Sequence, residues 1–157
     1  MTLSTKQFDR RQVLKAASGL SLVAAGVALA PKMAFAAWNK AAFDAKTLGD
    51  TYSAMGAGSP SASADVQIVA SDIAENGAVV PITVVSKLPN TEQISILVEK
   101  NPSALAAQFD LTADVIPEIT TRIKMGQTSN VTALVKAGGK YYTATKEIKV
   151  TLGGCGG

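Results

Sequence analysis

Between residues 66 and 152 the chain is a succession of short runs rich in β-branched residues: VQIVA, AVVPITVVS, EQISILVEK, EITTRIKM, NVTALVKA and YYTATKEIKVTL. Turn residues such as ENG, LPN, NPS and AGGK separate them. Runs of this length and composition, broken by turns at short intervals, fit strands and leave no room for the helical crossovers that a parallel sheet needs. The alternation is clearest in Ile119, Thr121, Ile123 and Met125, with Thr120, Arg122 and Lys124 on the opposite face. In the last run Tyr142, Ala144, Ile148, Val150 and Leu152 share one face, which Lys146 interrupts, and Gly138-Gly139 supplies the positive φ angles of a two-residue hairpin before it. Six or seven such strands over about 90 residues predict an all-β fold, an antiparallel immunoglobulin-like β-sandwich. Pro81 inside VVPITV predicts an edge strand or a bulge, because it lacks a ladder donor. Tyr141 and Tyr142 fall on opposite faces of one strand, so one is expected in the core and the other at the surface or an interface.

Ahead of the strands the period is different. Trp38, Ala41, Ala42, Ala45, Leu48 and Tyr52 recur at spacings that line one face of a helix, which is expected to end near Gly56. Trp38 and Phe43 are expected to pack in the core. The stretch GAGSPSASAD, residues 56–65, is small, polar and broken by Pro60, and reads as a loop.

The first 36 residues have another purpose. A basic stretch, KQFDRRQVLK, leads into an uncharged apolar stretch from Ala16 to Ala30 and ends at an A-x-A site formed by Ala34, Phe35 and Ala36. This is the pattern of a secretory signal peptide, and about 15 apolar residues fall short of the ~20 that a membrane span needs. Arg10 and Arg11, followed by Gln12, Val13, Leu14 and Lys15, resemble a twin-arginine export signal, although Asp9 and Val13 depart from its usual residues. The expected organisation is therefore a signal peptide over 1–36 that is removed, a helix and sandwich over 37–152, and an arm over 153–157. Removal takes away Lys6, Arg10, Arg11, Lys15 and Lys32 against Asp9, a net +4, so the overall +3 becomes −1. With the basic residues gone and no basic cluster left, neither nucleic acid nor an anionic membrane is an expected partner. The expected location is the periplasm.

The arm reads Gly-Gly-Cys-Gly-Gly, and its Cys155 is the single cysteine of the chain. A lone thiol forms no internal disulfide. Its position also fits neither bacterial lipidation, which needs a cysteine directly after the signal, nor a prenylation box, which needs three residues after it. Nucleophilic work needs the thiolate, and a free pKa of about 8.5 leaves a few per cent ionised at neutral pH unless a base, a cation or a helix N-terminus intervenes. The chain contains no histidine, so a Cys-His dyad is excluded. The acidic residues lack the spacing of a calcium loop and no phosphate-cradling glycine motif opens a helix, so neither a metal nor another cofactor is expected. Three residues from Gly153 to Cys155 extend about 10 Å, and the flanking glycines carry no side chain to obstruct entry into a foreign cleft. The thiol is thus presented by this chain and activated by something else.

Gly153, Gly154, Cys155, Gly156 and Gly157, on an exported sandwich that carries an initial helix and the run ENGAVVPITV, resemble the SoxY family, the sulfur-carrier subunits of the periplasmic thiosulfate-oxidising Sox system. The resemblance covers Trp38 to Gly157. It implies a carrier rather than an enzyme, paired as a heterodimer with a SoxZ-like β-sandwich subunit. Thiosulfate-derived intermediates would be held covalently on Cys155, with Gly153, Gly154, Gly156 and Gly157 as a flexible arm. A c-type cytochrome complex, a sulfate-releasing hydrolase and a sulfur dehydrogenase would act on them in turn. Three other readings stay open on the residues. Gly157 is the carrier if the chain works as a Gly-Gly thiocarboxylate. Cys155 serves a periplasmic interaction module if it forms an intermolecular disulfide, and it serves a thiol peroxidase if an activating group approaches it.

Overall fold

The β-branched runs fold into two sheets in the computed structural model, which describes residues 38–151. In chain order the strands are β1 (Ser61–Ala62), β2 (Val66–Val69), β3 (Ile73–Ala74), β4 (Val80–Ser86), β5 (Thr91–Val98), β6 (Leu105–Asp110), β7 (Glu118–Ile123), β8 (Ser129–Ala137) and β9 (Lys140–Val150). The larger sheet has the order β1-β9-β8-β5-β6, with β3 also paired to β9, and the smaller has the order β2-β4-β7. Every long pairing is antiparallel; only the two-residue strands β1 and β3 run parallel to β9. This is the expected sandwich.

Its main core lies between the sheets. Val66, Val80, Ile82, Val84 and Ile123 from the smaller sheet meet Ile94, Ile96, Val98, Val131, Val135 and Ile148 from the larger one. On β7 the expected alternation holds, with Ile119, Thr121 and Ile123 inward and Thr120 and Arg122 exposed. Gly138 and Gly139 adopt φ of 55° and 73°, and Ala137 pairs with Lys140 across them, as a two-residue hairpin requires.

The larger sheet is covered on its other face as well, by α1 (Lys40–Asp44) and α2 (Leu48–Met55). Leu97, Leu105 and Leu134 of the sheet pack there with Ala42, Phe43, Leu48, Tyr52 and Met55. Two short helices thus replace the single expected one. The break is a capping event: Thr47 Oγ1 accepts from the Asp50 amide at 3.1 Å and donates to Asp50 Oδ2 at 2.7 Å, which starts a new helix after Ala45 turns extended. Asn39 caps α1 and its amide nitrogen donates to Ala54 O at 2.8 Å, tying the two helices together. Gly56, with φ 69°, closes α2 where expected. Ala41 and Trp38 are exposed. Trp38 therefore does not enter the core; it lies against Phe43 with ring centroids 5.1 Å apart, and Phe43 makes the core contact.

The helix layer also corrects the reading of the two tyrosines. Tyr142 joins the inter-sheet core, and Tyr141 lies beneath the helices with its hydroxyl donating to Met55 O at 2.9 Å. Pro81 belongs to β4, the centre of the smaller sheet, and not to an edge strand. It is tolerated because β2 begins to pair with β4 only at Thr83, so on that side Pro81 faces no partner strand. A further strand, β6, occupies a stretch that the alternation does not reveal. Register shifts between Ile96 and Leu97, where successive partners are Ala107 and Leu105, so Phe109 faces the inter-sheet core and Leu105 faces the helices.

Ser95 is the odd residue on β5. It is fully buried opposite Leu134 on the helix-facing side, and its hydroxyl is the one buried side-chain polar atom among the described residues without a hydrogen-bond partner. Removing such a group relieves its desolvation cost. Ser95→Ala is expected to raise stability by about 1 kcal/mol, and a urea denaturation curve with an unchanged slope and a higher midpoint is the result to look for.

Candidate functional site

The five residues of the arm, Gly153, Gly154, Cys155, Gly156 and Gly157, lie outside the described residues, as do Leu152 and the signal segment over 1–36. What the fold fixes is the point from which the arm departs. Thr151 follows β9 directly, and several independent contacts hold that end of the strand.

The first holder is β3. Ile73 pairs with Lys149 and Ala74 with Val150, on the side of β9 away from β8. The Lys149 amide donates to Asp72 O at 2.9 Å and the Thr151 amide to Ala74 O at 3.1 Å, so the strap formed by residues 70–78 runs beside the departing chain. From the opposite direction the Thr128 hydroxyl oxygen accepts from the Val150 amide at 3.0 Å. Gly77 closes the arrangement. Its carbonyl accepts from the Met125 amide at 2.7 Å, and a Cβ on Gly77 would overlap the Met125 carbonyl oxygen and come within 2.7 Å of Val150 Cγ1. The glycine is required here by close approach and not by a left-handed backbone.

Lys146 pins the start of the strap. It interrupts the inward face of β9, as the sequence suggests, but its ammonium leaves the core and donates to Ala70 O at 2.5 Å while pairing with Asp72 Oδ1 at 2.9 Å. The hydrogen bond from Lys146 to the Asp72 carboxylate, and after it the Lys146 charge, hold the Asp72 carboxyl below its ordinary pKa. The Lys146 cation is thus engaged by backbone and carboxylate, whereas Lys149 is exposed. Among the described residues no three His, Cys, Asp or Glu side chains gather as a metal site, and no helix is long and apolar enough to cross a membrane.

Sequence reasoning finds the arm but not its mounting. Asp72, Gly77, Thr128 and Thr151 carry no local signal of their role; Lys146, a charge on an inward face, is the one residue that marks it. At the opposite pole, where β9 begins, two hollows of about 220 and 210 Å³ share Leu88 and Asn90. They lie a strand's length from the arm root, roughly 35 Å for the eleven residues of β9.

Residues 52–155 match the family described as Sulfur oxidation protein SoxY, a match that extends from α2 through both sheets to Cys155. Among solved structures, the sulfur carrier protein SoxY from Chlorobium limicola f thiosulfatophilum is 42% identical, with a TM-score of 0.58 over 66% of this chain and 96% of that one. Superoxide reductase (neelaredoxin) from Ignicoccus hospitalis aligns at 18% identity and a TM-score of 0.49, covering 55% of this chain and 80% of that one. No curated protein matches the sequence.

Proposed function

The chain belongs to the SoxY family of sulfur oxidation proteins, and from that premise we propose that it is a sulfur carrier whose covalent attachment point is the thiol of Cys155. The observation that carries this reading is the extent of the family match, which runs to the single cysteine of the chain. The mounting of β9 supports it, because a carrier thiol needs a defined point of departure and free chain beyond it.

The chemistry follows from a thiol without its own activating groups. A c-type cytochrome complex joins the Cys155 sulfur to the outer sulfur of thiosulfate: one S–S bond forms, the thiol proton is released, and two electrons pass to the cytochrome. The product is a carrier-bound S–S–SO3 group. A hydrolase then adds the oxygen of water to the sulfonate sulfur and breaks its bond to the neighbouring sulfur, releasing sulfate and leaving the persulfide with the bond's electron pair on the carrier. A sulfur dehydrogenase then takes six electrons from the outer persulfide sulfur, which gains three oxygens from water and becomes a sulfonate as protons are released; a second hydrolysis adds water oxygen to that sulfonate sulfur, releases sulfate and returns the free thiol. In this cycle the chain binds and presents, and partner enzymes catalyse. Gly153, Gly154, Gly156 and Gly157 serve mechanically, as slim flexible chain on both sides of the sulfur. The partner subunit is a SoxZ-like β-sandwich, and residues 1–36 direct export to the periplasm by the twin-arginine route before removal.

Intact mass and peptide mapping of the protein, after incubation with thiosulfate and the partner enzymes, test the assignment. The added sulfur is expected on the peptide that contains Cys155, and it should leave with a reducing thiol. Sulfur mapped to the Gly157 carboxyl would establish a thiocarboxylate carrier instead. If disulfide-linked dimers are the sole product, the chain is an interaction module.

A further inference from the structure

We propose that the open edge of β7 pairs with β7 of a second copy of this chain, antiparallel about Thr120, so that Glu118 of each copy stands against Arg122 of the other.

β7 is the outermost strand of the smaller sheet and pairs on one side only, with β4. The direction of its backbone groups follows from the register. The Ser86 amide donates to Pro117 O at 2.9 Å, and further along the ladder Val84 lies opposite Ile119, Ile82 opposite Thr121 and Val80 opposite Ile123. In an antiparallel pair these alternate residues exchange the hydrogen bonds. Glu118, Thr120 and Arg122 therefore turn their backbone groups to the open edge, and their side chains stand together on the outer, exposed face. The Glu118 amide is taken by Ile116 O at 2.7 Å, whereas the Thr120 and Arg122 amides have no partner among the described residues. Exposed edges are normally blunted by a proline, a bulge or a very short strand. The edge strand of the larger sheet, β6, carries a register shift; β7 runs six residues in unbroken register and contains no proline.

The charges select the occupant. Glu118 lies opposite Val85 on β4 and Arg122 opposite Pro81, so neither has an ionic neighbour across its own sheet, and neither joins an ion pair among the described residues. Between them Thr120 is uncharged and shares a hydrogen bond of 2.9 Å with the Thr83 hydroxyl. The edge thus reads acid, neutral, base, a pattern that complements itself when a second copy runs antiparallel about a twofold axis. Thr120 then meets Thr120, and Glu118 meets Arg122 twice, directly opposed and on one face. The backbone agrees in phase, because the residues brought opposite one another are those whose groups face the edge. Each Thr120 donates to the carbonyl of its counterpart, and each Arg122 amide reaches Glu118 O of the other copy. A parallel pair in register would set like charges side by side. The antiparallel pair joins the two smaller sheets into one continuous sheet. Met125, five residues beyond Thr120, lies at the level of the arm root through Gly77 and Val150. The two roots consequently sit at opposite ends of the pair, roughly 34 Å apart along the strands, and each Cys155 stays separately open to an enzyme.

The test is sedimentation equilibrium of the whole carrier, arm included, in excess reductant so that no disulfide contributes. Wild type is expected to dimerise weakly and reversibly, as an interface of this small size does. Arg122→Glu and Glu118→Arg each oppose like charges at both contacts and should weaken dimerisation at least about tenfold. The double variant, Glu118→Arg with Arg122→Glu, restores the complementarity with the signs exchanged and is expected within about threefold of wild type. An equimolar mixture of the two single variants should pair as heterodimers. A wild-type chain that stays monomeric up to about 1 mM overturns the proposal. A dimer that survives both single swaps does so as well, and so does a double variant that fails to recover. Swaps that spare self-association but block the β-sandwich subunit would assign this edge to that subunit and overturn the pairing of copies.

Discussion

Replacing Cys155 by serine is expected to abolish sulfur loading entirely while leaving the folded domain unchanged. The chain has one cysteine and no histidine, so no second side chain is available to form an S–S bond. A serine hydroxyl does not substitute, since it has no accessible anion near neutral pH and forms no bond of that kind with thiosulfate sulfur. Stability should be indifferent, because the hydrogen bonds that hold the end of β9 come from Lys149, Val150 and Thr151 and are complete without residue 155. A shift below about 0.5 kcal/mol is expected for a substitution away from any core, cap or buried network. The measurement is intact mass after exposure to thiosulfate and the partner enzymes, with a denaturation curve on the same sample. Adduct on the serine variant would remove Cys155 from its proposed role, whatever the family.

The difference between what was legible in the sequence and what was not follows from the two kinds of burial. In the smaller sheet one face is wet and one dry, so β7 and β4 alternate and their strands can be read residue by residue. The centre of the larger sheet is dry on both faces, since there the helices cover what the second sheet does not. β5 and β8 are therefore near-continuous apolar runs, which announce strands but not which residue faces which layer. That hidden layer is why one of Tyr141 and Tyr142 is expected at the surface or an interface, although both pack inside, and why Ser95 attracts no attention. The β6 bulge switches faces within six residues and erases the period that would have revealed the strand. For the helices a signal did exist: Thr47 to Asp50 has the spacing of a reciprocal cap, and it predicts the break that the apolar spacing alone overlooks.

The candidate site divides in the same way. Cys155 and its glycines are conspicuous through composition, because a lone thiol among glycines has no structural explanation. The strap that steadies their root is conspicuous only in three dimensions, since it joins residues 70–78 to residues 124–128 and 146–151 by parallel pairing and close backbone approach. The ENG run reads as an ordinary turn; the need for a glycine in it comes from Met125, nearly fifty residues further on.

That need makes Gly77 the position where the smallest change should do the most structural damage. A methyl group at Gly77 meets two obstacles of different kinds. Val150 Cγ1, at 2.7 Å, can rotate away, but the Met125 carbonyl oxygen is backbone and moves only if the connection between β7 and β8 moves with it. The displacement also strains the hydrogen bond from the Met125 amide to Gly77 O, at 2.7 Å, and Met125 is fully buried in the inter-sheet core. Overpacking of this sort costs about 1–3 kcal/mol, and a weakened buried hydrogen bond adds about 1 kcal/mol. Gly77→Ala is therefore expected to lose about 3 kcal/mol, or roughly 10 °C in unfolding midpoint for a domain of this size. The loss should not be uniform. Amide hydrogen exchange is expected to quicken first at Val150 and Thr151, whose partners sit on or beside the strap, while β5 and β8 keep their protection until global unfolding. A midpoint within about 1 °C of wild type, or faster exchange spread evenly over both sheets, would mean that Gly77 is not what holds the arm root against the sandwich.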